Sequence, residues 1–237
     1  MASMSGEVAT APIPEFFRDR QHAGRVLATL LRRHAGRPEL LVLALPRGGV
    51  PVGFEEAEAL QAPLDVFIVR KLGVPGHEEY AMGAIATGGV RVLSDEVVRT
   101  LRIPESAVEA VTRAEREELG RRERLYRSGL PPLDVRGRVV ILVDDGLATG
   151  STMLAAVRAL STMRPARTIV AVPVGAPETC EALRAEADEV MCALTPERFR
   201  AVGLWYENFS QTDDDEVRDL LERAHADHEA AHHAPHA

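Results

Sequence analysis

Five short, unbroken apolar runs constrain this chain more than any other feature: residues 40–45, 66–69, 139–143, 168–174 and 190–194. Runs of that length, bounded by turn residues, read as strands buried on both faces, because a strand with one wet face would alternate. Stretches of helical character at 52–60, 105–126, 152–163 and 178–186 lie between most of them. The alternation predicts an α/β fold, with a parallel sheet flanked by crossover helices. A helix with one apolar side is predicted at 16–34. The 237 residues suffice for one such domain with decoration and are too few for two large ones. Only 4% are aromatic, so the core must be largely aliphatic.

The stretch between the second and third runs departs from this rhythm. Residues 81–86 and 90–93 flank Thr87-Gly88-Gly89, which reads as a β-hairpin. Just before it, Arg70–Tyr80 carries Gly73, Pro75 and Gly76 and reads as an irregular loop, either a lid over a site or an ordinary connection. The Glu- and Arg-rich stretch 105–126 is expected to be a solvated helix laced with charge pairs. Asp213-Asp214-Asp215 should open a last helix, where acidic residues suit the positive end of the dipole.

A net charge of −8 argues against coating nucleic acid, yet allows a local basic pocket for a small anion. Cys180 and Cys192 form no CxxC pair, which fits a reducing compartment. No secretory leader and no membrane-length apolar run is evident, so a cytoplasmic protein with no membrane or nucleic-acid partner is expected. Residues 1–14 are expected to be mobile, 15–197 to form the core domain, and 198–222 a closing segment with the last helix. Residues 223–237 read as a disordered tail. It holds His225, His228, His232, His233 and His236, but no accompanying Cys or carboxylate pattern defines a metal site there.

Residues 139–152, VVILVDDGLATGST, carry the most chemistry. The tip of a buried parallel strand is where α/β proteins place ligands. Two carboxylates, Asp144 and Asp145, stand at that tip, suited to accept from diol hydroxyls or metal-bound water. Gly146 through Thr152 then leads into a helix. Its glycines turn the chain tightly, Thr149, Ser151 and Thr152 supply hydroxyls, and the helix start favours an anion. A sugar phosphate matches this set, although aspartates that merely cap the helix would look similar. A Walker A loop is ruled out, since no Lys follows Gly150, and GxGxxG does not occur here.

VDDGLATGST resembles the 5-phosphoribosyl-1-pyrophosphate (PRPP) motif of type I phosphoribosyltransferases, and is especially similar to its form in adenine phosphoribosyltransferases. The resemblance implies that Asp144, Asp145, Ala148, Thr149, Gly150, Ser151 and Thr152 bind PRPP. ALPRGGVPVG, residues 44–53, resembles the family's pyrophosphate loop, implying that Arg47, Gly48 and Gly49 bind the diphosphate and that a cis peptide lies near Arg47-Gly48. On its chemistry alone, Arg47 offers a planar fork of donors and the glycines permit unusual backbone angles.

RKLGVPGHEEYAMG, residues 70–83, resembles the family's flexible catalytic loop. Arg70 and Lys71 would face the leaving pyrophosphate, and Glu78 and Glu79 fall where adenine phosphoribosyltransferases carry a loop glutamate. Hypoxanthine–guanine enzymes place an Asp where this chain has Ala148, so that assignment is weakened.

The family covers its acceptor with a variable hood, here residues 198–212, where Trp205 and Tyr206 are the candidates to stack on a base. The implied reaction transfers phosphoribosyl from PRPP, with Mg²⁺, to a nitrogen acceptor such as a purine-like base. Lys71, Glu78, Glu79, Asp144 and Asp145 would be the catalytic set, and a homodimer is the family's common state. A non-catalytic PRPP- or nucleotide-binding regulator of the same fold is the alternative.

Overall fold

Aliphatic residues on both faces of five strands build the centre of the molecule. A computed structural model describes residues 13–233. Its strands are β1 (Leu40–Ala44), β2 (Leu64–Val66), β3 (Val69–Val74), β4 (His77–Ala86), β5 (Val90–Leu93), β6 (Val139–Val143), β7 (Arg167–Val174) and β8 (Glu189–Leu194). A five-stranded sheet has the order β2-β1-β6-β7-β8 with every pair parallel. The helices are α1 (Arg20–Leu30), α2 (Gly49–Leu60), α3 (Asp95–Thr100), α4 (Glu105–Tyr126), α5 (Ser151–Thr162), α6 (Pro177–Leu183) and α7 (Asp214–His233).

Successive side chains of a strand point to opposite faces, so each run feeds two cores. Val42, Ala44, Ile141, Val143 and Ile169 join Leu27, Val52, Leu60 and Val217, from α1, α2 and α7. Leu41, Leu43, Val140, Leu142 and Val170 join Met153, Val157 and Leu160 of α5 and Leu183 of α6. Both faces are dry, as the unbroken runs require. A smaller core holds Phe17, Val174 and Tyr206, with Phe199, Val202 and Phe209 packed against it. No helix among the described residues is long and apolar enough to cross a membrane.

Several expectations change. The run 66–69 is not one strand: β2 ends at Val66 in the large sheet, and β3 starts at Val69 in an antiparallel sheet ordered β3-β4-β5. Phe67 and Ile68 turn between them, both buried, so an apolar pattern alone could not show the break. Arg70–Tyr80 is not irregular. Val74 pairs with His77 across Pro75-Gly76, where Gly76 has φ 79°. Proline followed by a glycine at positive φ is the requirement of a type II turn, so these residues close a hairpin instead of preventing one. The hairpin at Thr87–Gly89 forms as expected, pairing Ala86 with Val90.

Helix 16–34 is shorter than its pattern. Asp19 accepts from the His22 amide at 2.7 Å and caps α1, leaving Phe16 and Phe17 outside it. The last helix runs from Asp214 to His233, past Glu222, where the tail was expected to begin. Within it, a ring nitrogen of His225 lies 3.0 Å from the Leu64 carbonyl. Of the expected mobile segment, residues 1–12 lie outside the described residues, as does His236 at the other end.

Candidate functional site

Strand order reverses between β1 and β6, which places the loops that follow these two strands side by side at their carboxyl ends. Such a switch point is where open α/β sheets bind ligands. Leu45 N–H donates to the Val143 carbonyl at 2.8 Å and ties the two exits together. Beyond it comes Pro46-Arg47, a cis peptide one bond ahead of the position expected. Gly49 then opens α2, because a Cβ there would lie 2.7 Å from the Val143 oxygen and 3.0 Å from Asp144 Cα. At Gly48 a Cβ would meet Asp145 Oδ2 at 2.0 Å. Absence of two side chains therefore lets the acid pair sit directly on the neighbouring loop.

The acids differ in surroundings. Asp145 is paired with Arg20, whose Nε and Nη2 each approach Oδ2 to 2.8 Å. Asp144 Oδ1 accepts from the Asp145 amide at 2.8 Å. Burial pushes the Asp144 carboxyl well above the usual carboxylate range, and the Asp145 charge pushes it the same way. Burial also raises Asp145, but Arg20 opposes that shift through charge and hydrogen bonding. The two acids thus act on each other's protonation, and Arg20 is bound directly to Asp145.

Downstream, the loop is braced from beneath. Leu147 exchanges backbone bonds with Val174 and Ala176 at 2.8 and 3.0 Å, and Thr179 Oγ1 donates to the Ala148 carbonyl at 2.9 Å. Gly150 has φ 66°, and a Cβ on it would lie 2.3 Å from Thr179 Cγ2. Ala148, Thr149, Ser151 and Thr152 are exposed around this turn, and α5 begins at Ser151. The first amides of a helix have no acceptor within it and point outward at the loop mouth. On the other side, Arg47 Nη1 is 3.7 Å from Asp214 Oδ1, a carboxylate that also accepts from the Tyr126 hydroxyl. Burial and Asp214 push Tyr126 up to about 12.

Arg47, Gly48, Gly49, Asp144, Asp145 and residues 148–152 are therefore brought to one place. Other sequence candidates are not. Arg70 and Lys71 point to opposite sides of β3. Arg70 Nε meets Glu115 of α4 at 2.7 Å, while Lys71 Nζ donates to the Glu79 carbonyl and carboxylate at 3.2 Å. Glu78 and Glu79 are exposed on the hairpin.

Tyr206 requires a correction. It is 7% exposed, packs on Phe17 and Phe209, and donates its hydroxyl to the Asp145 carbonyl at 2.7 Å. An aromatic ring so enclosed supports the site and cannot stack on a base. Trp205 stacks on Phe16 with centroids 5.6 Å apart, and its indole N–H is buried without a partner. Three contributors escaped the sequence reading: Arg20, Thr179 and Asp214. Only Asp214 carried a signal, and that signal pointed to a helix start.

The family described as "Phosphoribosyl transferase domain" matches residues 18–207, which contain both loops, the acid pair and the first part of the 198–212 segment. The chain belongs to the phosphoribosyl transferase family. Two strains of Mycobacterium tuberculosis each carry a protein named "Putative phosphoribosyl transferase" that is 48% identical over 213 residues. The match takes in 90% of this chain and 48% of those proteins, so the chain spans about half the length of the curated relatives it matches. The crystal structure of TT1426 from Thermus thermophilus superposes with a TM-score of 0.80 at 42% identity, covering 88% of this chain and 98% of that one. Membership in the phosphoribosyl transferase family accounts for the parallel sheet and for the two loops that meet at its switch point.

Proposed function

We propose that the chain transfers the 5-phosphoribosyl group of PRPP to a nitrogen acceptor, a purine-like base being the leading class, with release of pyrophosphate. One observation carries this reading. The Arg47-Gly48-Gly49 loop and the Asp144-Asp145 pair meet so closely that a Cβ on Gly48 would overlap Asp145 Oδ2. A ligand spanning both must present a diol or sugar to the acids and negative charge to Arg47 and the 148–152 turn, as a phosphorylated ribose carrying a diphosphate does.

Asp145, held by Arg20, and its neighbour Asp144 are suited to hydrogen-bond the ribose hydroxyls. Arg47 and the hairpin Lys71 would neutralise charge growing on the departing pyrophosphate. Glu78 and Glu79 sit on the same hairpin, which would have to fold down and exclude water. No group of three or more His, Cys, Asp or Glu residues among the described residues forms a metal cage. Two neighbouring carboxylates fit Mg²⁺ arriving with the diphosphate, since that ion keeps much of its shell as water and phosphate oxygen. When bound, Mg²⁺ would supply charge neutralisation at the pyrophosphate.

The test is release of pyrophosphate from Mg·PRPP across a panel of nucleobases and other nitrogen acceptors. Turnover with one acceptor, reduced by about tenfold or more in Asp145→Asn, supports the transferase. Tight PRPP binding with no turnover across the panel would instead support the regulatory alternative. The enclosed Tyr206 favours that second reading, since it removes one expected acceptor platform.

A further inference from the structure

We infer that Arg20 is a positioning residue for the ribose-binding acid and couples it to the hood, an inference that rests on the PRPP reading of Asp145. Arg20 is the first residue of α1, remote in sequence from both loops. Its Nε and Nη2 both reach Asp145 Oδ2 at 2.8 Å. Nη1 donates to the Ser210 carbonyl at 2.6 Å, and the guanidinium lies over the Phe209 ring, 3.9 Å from its centroid. The side chains of Arg20 and Asp145 are only 12% and 16% exposed, so the charges act across little water.

Each of these contacts uses a different property of one flat, forked cation. Two N–H groups hold the carboxylate, a third holds the hood backbone, and the face stacks on a hood aromatic. Both acid bonds converge on Oδ2, the oxygen that also rests against Gly48. Oδ1 takes no part in them. The hood grips the same residue a second time through Tyr206 Oη and the Asp145 carbonyl. Around it, Glu207 N–H donates to the Phe17 carbonyl and Asn208 N–H to that of Arg18, each at 2.8 Å, so the hood and the entry to α1 are joined as one strip. Any shift of that strip is transmitted to the carboxylate orientation through Arg20.

A purely architectural ion pair would hold the hood without affecting what Asp145 does for a ligand. Calorimetric titration of Mg·PRPP into the wild type, Arg20→Gln, Arg20→Lys, Asp145→Asn and the Arg20→Gln/Asp145→Asn double variant separates the two. Arg20→Gln is expected to weaken binding about tenfold, with Arg20→Lys recovering part of the loss by restoring charge without the fork. In the Asp145→Asn background, Arg20→Gln should change affinity by less than about twofold, because no carboxylate remains to be positioned. Equal losses in both backgrounds, or no loss in either, would overturn the inference. Wild-type protein that fails to bind Mg·PRPP, or Asp145→Asn that binds it undiminished, would instead remove the PRPP reading and this inference with it. Thermal unfolding monitors each variant. If Arg20→Gln does not fold, the same cycle is closed with Arg20→Lys.

Discussion

The floor of the candidate site and the β3–β4 hairpin are held by opposite means. At the junction of the β1 and β6 loops, contacts leave no room: Gly48 and Gly49 press on Asp145 and Val143, and Arg20 and Tyr206 hold the acid from the hood side. On the β3–β4 hairpin, Lys71 meets its own hairpin partner Glu79, and Tyr80 stands 56% exposed. The floor is fixed by tight contacts from several segments of the chain. The hairpin carries Lys71 and Glu79 as an exposed pair that costs little to rearrange.

Gly48→Ala tests the floor most severely. With φ −61° the backbone tolerates alanine, so the whole effect comes from a methyl group placed 2.0 Å from Asp145 Oδ2. The carboxylate must leave its seat against Arg20. Affinity for Mg·PRPP, measured by calorimetry, should fall about 100-fold, or ~2.7 kcal/mol. Binding within about threefold of wild type would show that the floor is adaptable and that the contrast with the hairpin does not hold.

Glu56 concerns the helix that supports the floor. It lies on α2, wholly buried, with neither carboxylate oxygen hydrogen-bonded. Burial alone pushes its pKa well above the ordinary 4.5, so the folded chain holds a proton that the unfolded chain releases. Between those two values the native state binds more protons, and stability falls as pH rises. Urea unfolding of Glu56→Leu should show a gain of about 1–3 kcal/mol near neutral pH, because an unsatisfied polar group is removed from the core. The gain should shrink as the pH is lowered towards 4.5. A gain independent of pH would mean that packing, not the proton, sets the difference.

Lys71→Ala addresses the hairpin. Nothing in the folded core depends on the half-exposed ammonium, so thermal stability should stay within about 0.5 kcal/mol. If the lysine meets the leaving pyrophosphate only when the hairpin closes, kcat for pyrophosphate release should drop about tenfold with a smaller change in KM. Equal losses in both, or none, would place Lys71 outside the reaction.

The parts legible in the sequence were those whose signal is local. Unbroken aliphatic runs marked the buried strands, and two loops at strand ends named the acids, the glycines and Arg47. What escaped depends on contacts between remote segments. Arg20 meets Asp145 across 125 positions, and nothing in FFRDRQH indicates that one arginine there faces a carboxylate while Arg18 does not. Tyr206 looked like a ligand platform because its side chain is amphipathic; only the third core shows that Phe17 and Phe209 already enclose it. The same limit applies to 66–69, where continuous apolarity concealed a change of sheet.

The smallest expected effect lies at the hairpin tip. Gly76 takes φ 79° at the third position of the Val74–His77 turn, and a side chain there would find nothing within 4 Å. Gly76→Ala therefore meets only backbone strain, about 1 kcal/mol, without any clash. Because the tip is exposed and pairs only within its own small sheet, that strain should open the turn locally and leave the large sheet untouched. Hydrogen exchange at the amides of residues 74–78 should accelerate about fivefold, while thermal unfolding and Mg·PRPP affinity stay at their wild-type values. Loss of affinity on this substitution would mean that the hairpin tip already shapes the ground-state site, so that floor and lid are one element. Faster exchange alone, combined with slower pyrophosphate release, would place the cost of the strain in the hairpin closure proposed for turnover.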